Sequence, residues 1–188
     1  MKSNTNVHLA LIHFPVYNKN GAIVTSSVTT LDVHDISRIC KTYDIGNFYV
    51  VTPLEAQQDL IARIVRHWLT GYGASYNSTR KEALLNTQVK GSLQDVMEDI
   101  THCYGGKPRA IVTDARPFDK SVGYGKVRQI LAKPGQNLLI FGTGWGLERG
   151  VIQRADYRLT PIQSNNTYNH LPVRAAIAII LDRLLANP

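Results

Sequence analysis

Gly142, Gly144 and Gly146 stand at alternate positions behind the apolar run Leu138–Phe141, in the stretch LLIFGTGWGL. A glycine has no Cβ to hold a ligand off, so backbone N–H and C=O groups there can read an adenine edge at close range. Upstream, the loop DARPFDKSVGYGKVRQ gathers Asp114, Arg116, Asp119 and Lys120 behind an apolar run. It is basic and glycine-containing, as a lid that grips a substrate would be. Downstream, Tyr168, Asn169 and His170 precede Pro172 and a long apolar segment. Proline suits the first turn of a helix, and Asn169 is a suitable N-cap, so these residues read either as a loop fixed against a pocket or as simple capping.

The glycines do not complete a dinucleotide fingerprint. Gly142 and Gly144 fit GxGxxG, but Leu147 stands where the third glycine belongs. The motif also needs a helix on the glycine turn and an acidic residue about 20 positions on. ERGVIQRADYRLTP offers no convincing helix, and too little chain follows for a Rossmann half. A P-loop fails because no Lys-Ser or Lys-Thr follows. A tight turn needing positive φ is the plain structural alternative.

The elements that must position these residues alternate. HLALIHFPV, NFYVV, RAIVTDA and NLLIFG read as strands, with NKNG a turn and YRLTPI a further strand. TTLDVHDISRICKTY is helical by spacing, with Thr29 and Asp32 in capping-box positions. LEAQQDLIARIVRHWL is amphipathic, with Leu60, Ile61, Ile64, Val65 and Trp68 on one face. STRKEALLN and SLQDVMEDITHCY read as weaker helices around a polar break, and GKVRQILAK as a short one. The last, HLPVRAAIAIILDRLL, is apolar around most of its circumference and therefore expected to be buried. Strands alternating with helices predict one α/β domain over 1–188 with a mostly parallel sheet.

Composition narrows the class. With 188 residues, 44% hydrophobic and 19% charged, the chain is globular rather than disordered. It has no apolar run near the roughly 20 residues of a membrane span. Its opening lacks the small-residue cleavage pattern of a signal peptide. Cys40 and Cys103 are isolated, which fits reduced thiols in a cytoplasmic protein and no metal site. The net charge of +7 favours a polyanionic partner such as nucleic acid. The cations recur within folded-looking segments, so a basic surface is expected rather than a basic tail.

VTDAR, FGTGWGL and YNHLPVRAAIAIILDRLL, in that order and spacing, resemble the C-terminal motifs of the SPOUT superfamily, the trefoil-knotted, S-adenosylmethionine-dependent RNA methyltransferases. HFPVYNKNGAIVTSSVTTLDVHDISRICKTYDIGNFYVVTP is similar to the branch related to bacterial tRNA (guanine-N1) methyltransferase, in small stand-alone proteins. The resemblance covers most of the chain, and the second and third motifs are fairly specific as a pair. It implies a mostly parallel sheet flanked by helices and closed by a deep C-terminal trefoil knot. Knots are rare, so that feature rests on the likeness and not on periodicity. The resemblance further implies S-adenosylmethionine held bent between knot loops. Thr113, Asp114 and Ala115 would form the first loop, and Gly142, Thr143, Gly144, Trp145, Gly146 and Leu147 the second. Ile162, Tyr168, Asn169, His170 and Leu171, with Val173 and Arg174 behind them, would form the third. A homodimer with the active site at its interface is implied as well.

A sulfonium methyl is already activated, so the protein mainly aligns a nucleophile and, where needed, removes a proton. No metal is required. For a base nitrogen a carboxylate would serve, and for a ribose hydroxyl an arginine; Arg116, Asp119 and Arg38 are the catalytic candidates. Lys120, Lys126 and Arg128 are the candidates for gripping RNA. His34 and Asp35 fit a solvated helix face better than a site. The tRNA guanine methyltransferase places its base in a linker and RNA-binding domain with no matching position here, so guanine-N1 chemistry does not follow. A protein side-chain methyltransferase and a silent cofactor- or RNA-binding module are the alternatives.

Overall fold

The computed structural model describes residues 5–163, 165 and 168–186. Asn166 and Thr167 of the polar loop lie outside the described residues. The first strand, β1 (Val7–Ile12), is buried at every position, including His8. A run buried on both faces is what a parallel strand between two helical layers requires. It is followed by a small antiparallel hairpin, β2 (Val16–Tyr17) and β3 (Ile23–Val24), turned at the NKNG stretch. Then come α1 (Thr30–Thr42), β4 (Phe48–Val51), α2 (Glu55–Leu69), α3 (Tyr72–Tyr76), α4 (Ser78–Leu84) and β5 (Thr87–Lys90). The second half contributes α5 (Leu93–Tyr104), β6 (Arg109–Val112), α6 (Tyr124–Leu131), β7 (Asn137–Gly142), α7 (Arg149–Arg154), β8 (Tyr157–Arg158) and α8 (Val173–Leu185).

Six strands form one sheet in the order β5-β4-β1-β7-β6-β8, every pairing parallel. This is the predicted helix-flanked, mostly parallel sheet. Alternate residues of β1 divide the core. Leu9 and Leu11 join Val33 and Ile36 of α1 and Ile177 and Leu181 of α8 on one face. Ala10 and Ile12 join Val96 and Ile100 of α5 and Val151 and Ile152 of α7 on the other. The Thr29–Asp32 capping box closes the start of α1 as expected: the Thr29 side chain accepts from the Asp32 backbone, and the Asp32 side chain accepts in return. Among the described residues no helix is long and apolar enough to cross a membrane, and no group of His, Cys, Asp or Glu could hold a metal ion.

Some elements depart from the sequence reading. β5 is an edge strand of four mostly half-buried residues, TQVK, so it lacks the apolar run that marks the central strands. ERGVIQRADYRLTP does contain a helix, α7, six residues long and capped by the Glu148 side chain, which accepts from Val151 N. Six residues are too few to display a period of 3.6. Asn169 does not cap α8. Pro172 holds that position without a side-chain cap, and the Asn169 amide donates instead to the Ala115 carbonyl at 2.8 Å.

Candidate active site

β1, β7 and β6 end side by side, with Ile12 opposite Gly142 and Val112 opposite Ile140. The chain turns outward from β1 in both directions here, and such a crevice at the carboxyl ends of parallel strands is where ligands bind in open α/β sheets. A cavity of about 890 Å³ opens at this point. Thr113, Asp114 and Ala115 line it from the end of β6, Gly142 to Gly146 from the end of β7, and Ile162, Asn169, His170, Leu171 and Val173 from the segment before and within α8. Three sequence-distant stretches therefore meet as predicted, tied together by the Asn169–Ala115 bond.

Three of the proposed cofactor residues do not line it. Leu147 is fully buried and packs against Gly142, where a Cβ would lie 2.8 Å from Leu147 Cγ. Tyr168 is 71% exposed and meets the His170 ring edge-on at 5.3 Å. Arg174 spends its guanidinium on Asp32 at 3.5 Å and Asp35 at 3.3 Å. The glycines also have a reason of their own. Gly144 has φ +57, and a Cβ there would lie 2.8 Å from the Tyr17 carbonyl; at Gly146, φ +101, it would meet Arg116 and Asp114. The bare side of each glycine faces protein, because the hairpin clamps the loop through Tyr17 N to the Gly146 carbonyl and Trp145 N to the Tyr17 carbonyl, both 2.9 Å.

Sequence reasoning missed His13, Ser26 and Asp32, which also line the cavity. The Thr143 hydroxyl donates to the Ile12 carbonyl at 3.0 Å and shares a 2.5 Å hydrogen bond with Ser26. Ser26 in turn is hydrogen-bonded to His13 Nδ1 at 2.9 Å, and its hydroxyl also reaches the His13 carbonyl at 3.5 Å. His13 Nε2 is buried and without a hydrogen-bond partner among the described residues. Burial keeps the ring neutral, pushing its pKa down from 6.5 to about 4. A histidine just past the carboxyl end of a central strand was the available signal.

A second cleft, of about 800 Å³, adjoins the first and shares Arg116 and Trp145 with it. Asp114 holds Arg116 with both oxygens, from Nε at 2.9 Å and Nη2 at 2.7 Å, and this pairing raises the guanidinium pKa further. Around it stand Lys19, Lys120, Arg149 and Arg158, against the single carboxylate Asp119, with Tyr17, Phe118 and Trp145 supplying flat surfaces. Lys120 sits at φ +82, a conformation that an L residue adopts only when its surroundings hold it there. Tyr17, Phe118, Arg149 and Arg158 were not foreseen. Arg38 is exposed on α1, and Lys126 and Arg128 on α6, with Arg128 donating to the Arg183 carbonyl; none of the three lines either cavity.

A family model described as SAM-dependent RNA methyltransferase matches residues 6–186. The chain belongs to that family. The methyltransferase is 40% identical over 185 residues to an uncharacterized protein of Aquifex aeolicus, covering 98% of this chain and 90% of that protein. It is 42% identical to the tRNA (guanine-N(1)-)-methyltransferase of Oleidesulfovibrio alaskensis over 97% of this chain, and spans only 42% of that enzyme's length. The crystal structure of the A. aeolicus TrmH/SpoU tRNA modifying enzyme shares its fold, with a TM-score of 0.58 at 13% identity, over 98% of this chain and 76% of that one.

The cavity at the strand ends fits SAM, the family's cofactor. Its volume lies within the roughly 300–1,000 Å³ of small-molecule sites. Phe141, Ile162 and Val173 offer apolar wall, and Thr113, Asn169 and His170 offer polar groups. The unpartnered His13 Nε2 can pair with the hydroxyl, amino or carboxylate groups that the ribose and methionine ends of SAM carry.

Proposed function

We propose that the methyltransferase holds SAM in the strand-end cavity and methylates an RNA nucleotide seated in the adjoining basic cleft. The observation that carries this is the shared wall: Arg116 and Trp145 line both spaces, so a ligand in one abuts a ligand in the other. When bound, SAM supplies an electrophilic methyl group, and orientation of the acceptor then dominates the barrier. Tyr17, Phe118 and Trp145 offer faces on which a base stacks, while Lys19, Lys120, Arg149 and Arg158 meet phosphates. Lys126 and Arg128 extend the phosphate contact along α6.

Asp114 is committed to Arg116 at two oxygens and is not the base. Arg116 stays cationic and preorganised, suited to an acceptor atom that develops negative charge. Asp119 is exposed in the same cleft and is placed to remove a proton when the acceptor carries one. The deep trefoil knot belongs to this reading, supported by β7 lying between β1 and β6 and by the convergence of three loops on one cavity. So does the homodimer, supported by apolar surface that α8 leaves half-buried.

Transfer of label from radioactive SAM to total RNA and to total protein tests the reading. Label is expected in RNA. Arg116→Ala is expected to lower kcat by about 100-fold or more, the usual cost of removing one preorganised charge-stabilising group. Label in protein, or none despite calorimetric binding of SAM, overturns it.

A further inference from the structure

At the sheet edge opposite β8, α2, α3 and α4 carry a feature that neither cavity uses. Tyr72 and Tyr76, one turn apart on α3, stack with centroids 5.9 Å apart and planes at 21°, and stand 75% and 74% exposed. Gly73 lets α3 sit directly on the end of α2: a Cβ there would lie 2.6 Å from the Trp68 ring and 2.9 Å from His67 Nε2. α3, which carries the tyrosine pair, is thereby set against the end of α2, where Arg66 and His67 are exposed, with Arg63 one turn back. Arg80, from α4, lies 4.5 Å over the Trp68 ring, and Lys81 follows it. Against Arg63, Arg66, Arg80 and Lys81, residues 60–82 hold a single carboxylate, Glu82. Among the described residues none of these cations forms an ion pair.

We infer that this face is a second RNA contact, a platform on which an unpaired base stacks against the Tyr72–Tyr76 pair while Arg63, Arg66 and Lys81 hold the flanking phosphates. Exposed rings with uncommitted cations around them are the two elements of single-strand binding: a stacking surface that accepts any base, and charge that tracks the backbone. An acidic protein would use the cations but leave the ring faces idle. The platform lies on the β5 side of the sheet, whereas the cleft takes Arg158 from β8 at the far edge, five strand spacings or about 24 Å from β5, so the platform meets a different segment of the RNA from the target nucleotide. The inference rests on the reading of the chain as acting on RNA, but not on which residues line the cleft.

The chain has two tryptophans, Trp68 and Trp145. In the Trp145→Phe protein, Trp68 is the sole tryptophan and reports on the platform. Addition of an unstructured oligoribonucleotide is expected to change its emission. In the otherwise unaltered protein, Tyr72→Ala with Tyr76→Ala is expected to weaken binding of the fluorescein-labelled oligonucleotide about fivefold or more, leaving circular dichroism and SAM affinity unchanged. A silent Trp68 together with wild-type affinity in the double variant overturns the platform. So does an equal Trp68 response to a blunt RNA duplex or to polyglutamate, which marks attraction by charge alone. Arg149→Glu with Arg158→Glu separates the two proposals. Loss of RNA affinity there but not in the tyrosine variant leaves the cleft standing and the platform refuted. The converse refutes the cleft and leaves the platform standing.

Discussion

His13 shows how a hydroxyl chain decides the chemistry of one ring. Nδ1 is tied to Ser26, which is tied in turn to Thr143 and so to the Ile12 carbonyl, while Nε2 has no partner among the described residues. Protonating the ring would bury a charge, a cost that the nearby Asp32 offsets only in part. The unfolded chain accepts that proton near pH 6.5, whereas the folded chain resists it until about 4. The folded pKa is depressed, so this contribution to stability is complete above pH 6.5 and is lost as pH falls toward 4, by about 3 kcal/mol in all. His13→Asn retains a donor for Ser26 but does not titrate. Urea unfolding at neutral pH and at about pH 4.5 is expected to show a smaller acid loss for the variant than for wild type, and equal losses would refute the assignment. Much of the strand-end cavity was legible at this scale: thirteen of the sixteen residues proposed for the cofactor line its wall. Those that do not are occupied elsewhere, Leu147 in the core and Arg174 in ion pairs. For His13 the one signal was its place just past a central strand; Ser26 was illegible because the bond between them is made by tertiary folding, and neither belongs to a spaced motif.

Elements place the glycine loop more firmly than its own sequence does. The hairpin of β2 and β3 closes over it, and Gly144 has the Tyr17 carbonyl where a side chain would begin. Gly144→Val must move either the loop or the hairpin, at a cost of about 1–3 kcal/mol for an L residue at positive φ. SAM affinity is expected to fall at least about tenfold while circular dichroism stays native. Gly125→Ala is the control, since Gly125 lies in α6 and its Cβ would meet nothing within 4 Å. Unchanged SAM affinity in Gly144→Val would show that the clamp does not shape the cavity. The long elements were plain in the sequence, because β1, β4 and β7 are continuous apolar runs and α2 has a clear apolar stripe. The two-residue strands of the hairpin, the five-residue α3 and the polar edge strand β5 were not. Each is too short or too solvated to show a period, and each is held by neighbours rather than by its own pattern.

At the scale of the molecule, α8 has more apolar surface than one subunit uses. Ile177, Ile180, Leu181 and Leu184 are buried against the sheet, α1 and α6, but Ala175, Ala178, Ile179 and Leu185 remain half-exposed. A twofold partner covering this strip is the economical arrangement. Ile179→Glu puts a charge into such an interface without entering the buried face of the helix. The variant is expected to run as a folded monomer in light scattering, with wild type a dimer at micromolar concentration. A monomeric wild type would end the dimer proposal. The surplus was visible in the sequence as a helix apolar over most of its circumference. What covers it was not, because one chain does not encode which of its faces meets a copy.

The position of β7 has a consequence for how the chain is made. β1 and β6, its two neighbours, leave the ribosome well before it, and neither can pair with the other in its absence. Until residue 142 has emerged, the nascent protein holds one half-sheet with an open edge, β1–β4–β5, and the single strand β6 with no neighbour to pair with. The keystone strand arrives late and must enter the middle, so closure of the sheet depends on long-range pairing, a slow class of folding step. In the interval the exposed flank of β1, six buried-type residues long, is the part of the nascent chain most in need of protection from aggregation.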